Sequence, residues 1–456
     1  MIRMSLSHVA AALEGRLLGA DAAFSAVSTD SRHLAPGDLF VALRGPRFDG
    51  NEYVGQAAVH GAVAAVVSRP VDVAMPCLLV PDTRIALGRL AALWRAACPA
   101  QVVAVTGSNG KTTLKEMIAA ILRERGPVLS TVGNLNNDVG VPLTLLRLQD
   151  EPFAVIEMGA NHLGEIRYLS ELARPDVAVL NNAGRAHLEG FGSTENVARG
   201  KAEIITGLQP RGTFVYNADS PWAPLWRDLA AGRNSLSFGI EAAADVASPG
   251  SARLDWTDRG FRNRFVIRAG DDAVEVELAL AGAHNRSNAL AAAAAARALG
   301  CTLGQVRGGL GRVAPVRGRL QPLRRADGIW VIDDSYNANP DSVAAAIAVL
   351  AAAPGRKLLV IGDLAELGPD SADLHAGIGR QARAAGVDAL CTVGVSSAAT
   401  SRAFGAGATH FADQSALVDA LGPTLGASDV VLVKGSRSAA MDRVVAALTT
   451  EESVRC

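Results

Sequence analysis

Gln101-Val102-Val103-Ala104-Val105-Thr106-Gly107-Ser108-Asn109-Gly110-Lys111-Thr112-Thr113 is the stretch on which the architecture turns. Gln101–Val105 is a short apolar run rich in valine, which predicts a buried strand. A glycine-bearing turn follows, and Lys111-Thr112-Thr113 opens a helical pattern through Leu114–Arg125. Strand, turn and helix in that order aim backbone N–H groups and a helix N-terminus at an anion. The glycines let the backbone approach closely, Lys111 reaches outer phosphates, and the Thr112 hydroxyl can ligate magnesium. Gly107 stands only three positions before Gly110, so the loop is a variant of the usual phosphate loop, which has four residues between its glycines. A glycine turn beside a surface lysine is the bland alternative, and the ordered strand, turn and helix argue against it. The loop fixes where phosphates go and not the reaction, because switch GTPases, helicases and ligases share such cradles.

On either side of this loop, valine- and isoleucine-rich runs alternate with helical patterns, which predicts parallel sheets covered by helices, an α/β class. Upstream are strands at Leu39–Leu43, Ala64–Val67 and Leu78–Val80, a helix near Tyr53–Ala62, and a helix from Asp82, its N-cap, to about Ala97. Downstream come strands Phe153–Ile156, Val177–Leu180 and Thr213–Tyr216 with helices Leu114–Arg125, Leu163–Leu172 and Thr194–Leu208. Between Ser235 and Ala281 short alternating strands, Arg264–Ile267 and Ala273–Leu278, predict an antiparallel insertion or extension. Helices at Asn288–Leu299 and Leu303–Leu310 precede a break at Pro315, Gly318 and Pro322. Beyond it, strands Ile329–Ile332, Lys357–Ile361, Ala389–Val393 and Val430–Val433 alternate with helices beginning near Asp341, Ser371, Ser397, Gln414 and Arg437, a second doubly wound sheet. Three domains are therefore expected: a small N-terminal α/β domain (1–83), a central P-loop-type ATPase domain with a mostly parallel sheet (84–316), and a C-terminal Rossmann-like doubly wound domain (317–456). A length of 456 residues agrees, being too long for one core.

Lys and Arg number 44 against 45 Asp and Glu, so no global charge draws the chain to nucleic acid or to an acidic membrane. Met1–Phe24 lacks the unbroken apolar core of a signal peptide and reads as part of the fold. Val343–Ala353, the longest apolar stretch, falls far short of the roughly 20 residues that span a bilayer. Cysteines 77, 98, 301, 391 and 456 are odd in number, scattered and without a C-x-x-C pair, which argues against a disulfide framework or a structural zinc site and places the chain in the cytoplasm.

Further ordered motifs accompany the loop. They are Thr29-Asp30-Ser31-Arg32, Gly37-Asp38-Leu39-Phe40, Phe48-Asp49-Gly50, Gly133-Asn134-Leu135-Asn136-Asn137, Glu157-Met158-Gly159-Ala160-Asn161, Asn181 to Leu188, Gly200-Lys201-Ala202-Glu203, His284-Asn285-Arg286-Ser287-Asn288, Asp333 to Ser342, Gly362 to Gly368, and Lys434-Gly435-Ser436-Arg437. In this the sequence resembles the Mur ligase family over nearly its whole length. The segments Asp333–Pro340 and Gly362–Leu367 look like the member that adds a dipeptide, and the D-N-P-R segment of diaminopimelate addition is missing from the sequence.

That resemblance implies ATP-driven peptide bond formation. The carboxylate of UDP-N-acetylmuramoyl-tripeptide attacks the γ-phosphate to give an acyl phosphate and ADP, and the amine of D-alanyl-D-alanine then displaces phosphate, a step in peptidoglycan synthesis. ATP and Mg2+ are the implied cofactors, and the two peptide substrates are the implied partners of a monomer. Such a site needs positioned cations and donors around the transferring phosphoryl group.

Residue by residue, the resemblance gives Thr106, Gly107, Ser108, Asn109, Gly110, Lys111, Thr112 and Thr113 to ATP, with Asn285, Asn288, Tyr336 and Asn337 at the nucleotide and Arg319 at its γ-phosphate, a task that suits a planar guanidinium. Helix capping is the alternative for one of the two asparagines on the alanine-rich helix. Glu157 and Thr112 are implied magnesium ligands; a carboxylate ending an apolar strand is costly unless it faces a cation. His187 is implied at a second magnesium, although a lone histidine is more often structural. Lys201 would ordinarily be a solvated helix lysine, and the resemblance instead implies a carbamylated lysine serving as an anionic ligand. Asp334 is placed near the incoming amine, with Asn339, Lys434, Ser436 and Arg437 toward the dipeptide. A turn and helix cap is the alternative for the loop holding Asp334 and Asn339. Ser31, Arg32, Asp49, Gly50 and Asn51 look like a uridine-diphosphate surface, Arg32 having an ordinary surface salt bridge as its alternative. Asn136, Asn137, Asp138 and Asn161 are implied along the muramyl-peptide path. Another amide ligase of the family, diamino-acid-adding or a folylpolyglutamate synthase, and a nucleotide-hydrolysing switch are the competing readings.

Overall fold

A computed structural model describes residues 3–449; Met1 and Cys456 lie outside the described residues. Three main sheets organise the chain. Among the described residues the central one has ten strands. Gln101–Thr106 lies in its parallel half, flanked by Phe153–Glu157 on one side and Val177–Leu180 on the other. Strand order reverses about Gln101–Thr106, and in open α/β sheets ligands bind in the crevice beyond the strand ends at such a switch point.

Alternation along this strand divides the core. Val102 and Ala104 face a core shared with helices Thr83–Ala96 and Glu165–Ala173 and with the first domain, including Leu78 and Phe24. Val103 and Val105 face the opposite core, built from the phosphate-loop helix Lys111–Leu122 and the alanine-rich helix Ala283–Ala298. Ala291 to Ala296 are all fully buried, and their small side chains let the two helices and the sheet pack closely around the loop. Asp82 caps its helix as the sequence predicts, accepting from the backbone N–H groups of Arg84 and Ile85.

The antiparallel segment proves to be an extension of the central sheet and not an insertion. Val246–Ala247 continues the parallel run, then Gly260–Ala269 pairs antiparallel with it and with Arg253–Thr257 and Asp272–Leu278. Its outer face packs against the C-terminal domain, where Trp256 meets Phe261 and Trp330 edge-on at 4.8 and 5.8 Å between ring centroids.

In the C-terminal sheet, Asp429–Lys434 inserts between Trp330–Asp334 and Arg356–Gly362, so Asp334 and Lys434 end neighbouring parallel strands in register. Gln321–Arg324 adds an antiparallel edge strand. The helix expected from Arg437 starts instead at Asp442, because Ala440 takes a left-handed conformation (φ 47°) that separates a single 3-10 turn from the helix. The N-terminal sheet runs Arg16–Leu18, Cys77–Leu79, Ala64–Val67, Asp38–Val41 and Ala26–Ser28.

Candidate active site

At the switch point of the central sheet a cleft of about 980 Å³ opens between the central and C-terminal domains. Ser108 to Thr113 line one wall, Glu157, Asn161 and His187 the floor, and Arg319, Asp334, Tyr336 and Lys434 the opposite wall. Thr106 and Gly107 lie beneath this surface. The Thr106 hydroxyl donates to the Met158 carbonyl at 2.9 Å and so ties the loop to the end of the neighbouring strand.

The loop is laced to the segment after Val177–Leu180. The Ser108 N–H donates to the Asn182 carbonyl, the Asn109 N–H to Asn182 Oδ1, and Asn181 and Asn182 both donate to the Asn109 carbonyl. Gly110 begins the helix with φ 77°, and a Cβ there would stand 2.8 Å from Asn288 Oδ1. A side chain is thus excluded from the turn both by conformation and by the approach of the alanine-rich helix. Lys111 folds back on the loop, Nζ donating to the Gly107 carbonyl at 2.8 Å and to the Ser108 carbonyl at 3.3 Å. Enclosure by the cleft pushes its ammonium below the usual lysine range, with Glu157 opposing that shift and Arg319 adding to it.

Asn285 and Asn288 are not helix caps. The helix begins at Ala283, five residues earlier than the sequence predicts, with Gly282 as N-cap. Asn285 donates to the Ala281 carbonyl, and Asn288 Oδ1 accepts from Asn181 Nδ2 at 2.8 Å, both buried. This cross-element bond fixes the alanine-rich helix against the loop.

Glu157 is buried at the end of its strand. Asn136 Nδ2 donates to Oε1 at 2.8 Å, and Oε2 has no hydrogen-bond partner among the described residues. Leaving a buried carboxylate oxygen without a donor is costly, and a cation opposite it removes that cost. Sequence reasoning passed over Lys115, which supports this arrangement from behind. Its buried Nζ donates to the Thr131 carbonyl at 2.6 Å, and the Thr131 hydroxyl accepts the Glu157 N–H at 2.9 Å.

His187 is half-buried, takes a left-handed backbone (φ 54°) and sits 2.6 Å through Nδ1 from Glu366 Oε2 of the C-terminal domain. Burial holds its ring below the usual histidine value, Lys111 and Lys201 push the same way, and Glu366 opposes them. Lys201 is 1% exposed and lies just behind the cleft wall. Its Nζ donates to the Ala160 carbonyl at 3.1 Å and lies 5.2 Å from the Phe191 ring centroid. Burial, with the positive charge of Lys111 adding to it, lowers its pKa to about 7.

The C-terminal wall is built around Tyr336. The Arg319 guanidinium stacks 4.3 Å above the Tyr336 ring, with that of Arg437 5.5 Å from it. Asp334 pairs with Lys434 at 2.6 Å and accepts the Leu320 N–H at 3.1 Å. Burial raises the Asp334 carboxyl, and Lys434 opposes the shift. Lys434 also donates to the Asn337 carbonyl at 2.8 Å, and the Ser436 N–H to the Asp363 carbonyl. Asn339 both caps its helix, in a reciprocal box with Ser342, and donates to Asn109 Oδ1 at 2.8 Å. Arg185, a residue of the Asn181–Leu188 motif, grips Asp341 through both a nitrogen fork and its own backbone N–H.

The remaining expected residues divide between the cleft and positions outside it. Asn161 and Asn137 line the cleft, the latter also accepting from the Gly140 N–H. Asp138 sits outside it in an ion pair with Arg84. Ser31, Arg32, Asp49, Gly50 and Asn51 are all in the first domain, outside the cleft. Arg32 there forks onto Asp30 at 2.8 Å, as an exposed pair. Asn51 is buried, bonded to Asp49 and Ser68.

Comparison with known proteins matches three family models along the chain: "Mur ligase family, catalytic domain" over residues 23–95, "Mur ligase middle domain" over 105–296, and "Mur ligase, glutamate ligase domain" over 318–437. The UDP-N-acetylmuramoyl-tripeptide–D-alanyl-D-alanine ligase of Escherichia coli K12 is 47% identical across 98% of this chain and 99% of its own length. A crystal structure of MurF from Acinetobacter baumannii is 36% identical and superposes with a TM-score of 0.92, covering 98% of this chain and 99% of that one. A MurF ligase from Thermotoga maritima, solved in complex with ADP, is 30% identical with a TM-score of 0.83, covering 93% and 96%.

Proposed function

Since the chain belongs to the Mur ligase family, we propose that it is an ATP-dependent ligase that joins D-alanyl-D-alanine to UDP-N-acetylmuramoyl-tripeptide, forming the UDP-linked pentapeptide used in peptidoglycan synthesis. One observation carries this reading beyond the family. A phosphate loop on the central domain and a cationic wall on the C-terminal domain enclose a single cleft, large enough for the ends of a nucleotide and two peptides to meet.

In the first half-reaction a tripeptide carboxylate oxygen forms a bond to the γ-phosphorus while the bond to the ADP oxygen breaks. Negative charge spreads over the phosphoryl oxygens. Lys111 swings from the carbonyls of Gly107 and Ser108 to these oxygens, and Arg319 meets them from the opposite wall. Tyr336 holds that guanidinium by stacking, which limits the motions it must lose on binding. In the second half-reaction the dipeptide amine bonds to the acyl carbon, phosphate leaves, and the amine proton passes to a base. Asp334, kept in place by Lys434, is the carboxylate assigned to orient that amine. Lys434 and Arg437 supply positive charge for the dipeptide carboxylate.

The donor set fits magnesium. Glu157 Oε2 lacks a hydrogen-bond partner among the described residues, and the Thr112 hydroxyl lies at the start of the helix that lines the same cleft. Glu157, Thr112 and His187 would hold the metal, which when bound neutralises phosphate charge. Lys201 is the carbamylation candidate: an enclosed amine with a pKa of about 7 and a carbonyl as its only hydrogen-bond partner among the described residues. Its neutral nitrogen bonds to the carbon of CO2 as one C–O π bond opens onto oxygen, one N–H proton passes to water, and the product is an anionic carbamate. The surface around Ser31, Arg32, Asp49, Gly50 and Asn51 is assigned to the uridine diphosphate, which requires Arg32 to exchange Asp30 for phosphate. This reading carries with it a monomer acting in the cytoplasm. The four described cysteines are free and buried.

The test is phosphate release from ATP with the uridine-linked tripeptide, with and without D-alanyl-D-alanine, followed by mass analysis. Dipeptide-dependent release and a pentapeptide product are expected. Release indifferent to both peptides would instead favour a nucleotide-hydrolysing switch.

A further inference from the structure

His187 and Glu366 face each other across the interdomain cleft, and both are non-glycine residues in the left-handed region, at φ 54° and 59°. Such a conformation is strained for an L side chain and persists only where its surroundings over-determine it. Around Glu366 they do. His375, fully buried, accepts the Leu364 N–H through Nε2 at 3.1 Å while its Nδ1 donates to the Ser371 carbonyl at 2.7 Å. Asp363 accepts the Ser397 N–H on Oδ1 and the Ser436 N–H on its carbonyl. The loop is therefore anchored at Asp363 and Leu364, just ahead of the residue that reaches His187.

We propose that Glu366 is a positioning residue for the ligase reaction, a role that rests on the functional reading above. An ionised carboxylate only accepts, so its 2.6 Å contact places the proton of a neutral His187 ring on Nδ1. Nε2 then carries the lone pair, and among the described residues no hydrogen bond occupies it. The C-terminal domain thus selects, from across the cleft, the tautomer in which Nε2 is the nitrogen of His187 left to serve as a ligand or proton acceptor, as carboxylates behind ligating histidines do. Among the described residues, the hydrogen bond to Nδ1 comes from the C-terminal domain and none comes from the central domain.

Three variants of the full chain separate this role from the backbone strain. Asparagine tolerates the left-handed region but is one methylene too short, so Glu366→Asn keeps the loop and loses the contact. Glu366→Gln keeps the reach and a carbonyl acceptor. His187→Gln identifies the His187 ring signals. In long-range proton–nitrogen spectra without added metal or nucleotide, wild type and Glu366→Gln should show the Nδ1–H tautomer at His187, and Glu366→Asn should not. The Mg2+ concentration for half-maximal activity should rise about 10- to 100-fold in Glu366→Asn and less than about 3-fold in Glu366→Gln, with unchanged thermal midpoints. An Nδ1–H tautomer that persists in Glu366→Asn, or a Mg2+ requirement equal to wild type, would overturn the role. If wild type shows no dipeptide-dependent phosphate release, the functional reading fails by itself and the tautomer spectra still judge Glu366.

Discussion

Replacing Lys201 tests the energetics of the buried amine directly. The side chain is 1% exposed, its ammonium forms no salt bridge among the described residues, and burial outweighs the opposing pull of Glu165 and Glu203 to lower its pKa from 10.5 to about 7. At pH 7 about half of such amines are neutral, against roughly one in 3,000 for an ordinary lysine, so its nucleophilic fraction is enriched about 1,500-fold. With 13C-bicarbonate, one carbamate resonance should therefore appear, weaken as pH falls through 7, and vanish in Lys201→Arg, which should fold and lose most ligase activity. The same shift affects stability. The unfolded chain holds this proton more tightly than the folded one, so folding is disfavoured below pH 10.5, increasingly so down to about 7 and evenly below it. In CO2-free buffer the penalty is about 4 kcal/mol at pH 7 and about 2 kcal/mol at pH 9. Lys201→Met removes it, so the thermal midpoint of the variant should exceed that of wild type at pH 7, with the gap closing toward pH 9. A carbamate signal that survives Lys201→Arg, or a gap independent of pH, would refute the reasoning.

Gly110→Ala places a Cβ 2.8 Å from Asn288 Oδ1 in a left-handed turn, at about 1–2 kcal/mol, and calorimetry should show ATP binding weakened about tenfold or more. Asp334→Asn leaves the buried Lys434 ammonium uncompensated, and the C-terminal domain should lose about 3–5 kcal/mol of stability, read by hydrogen exchange along Asp429–Lys434. Arg185→Ala removes a partly exposed pair with Asp341; stability should change by less than about 1 kcal/mol, whereas solution scattering should show a wider angle between the central and C-terminal domains.

The phosphate loop was legible because everything that makes it is local: a strand, a turn and a helix within thirteen residues, with glycine where φ is positive. Asp82 and Asn339 were legible for the same reason, since caps act within three residues. The start of the alanine-rich helix was missed because His284 and Asn285 resemble a boundary, while Gly282 supplies the real one. What could not be read were the contacts between distant segments. Lys115 looks like a surface lysine until the Thr131 carbonyl is brought to it, and His375 like any helix histidine until Leu364 donates to it. Glu366 belonged to a quoted motif, yet its partner stands 179 residues away. Asn288 shows the limit most plainly: its position on a helix was visible, but not that Asn181 would meet it.

The packing of Trp256 and Phe261 from the antiparallel extension against Trp330 and the core around Ile332 has a practical corollary. Severing the polypeptide at the expected boundary before residue 317 would strip that greasy face bare on both fragments, so neither half should stay dispersed in solution by itself. Modular in outline, the two parts share a seam that binds them into one inheritable unit: an amino-acid change at Trp256 is felt by a sheet whose own sequence begins more than sixty residues later.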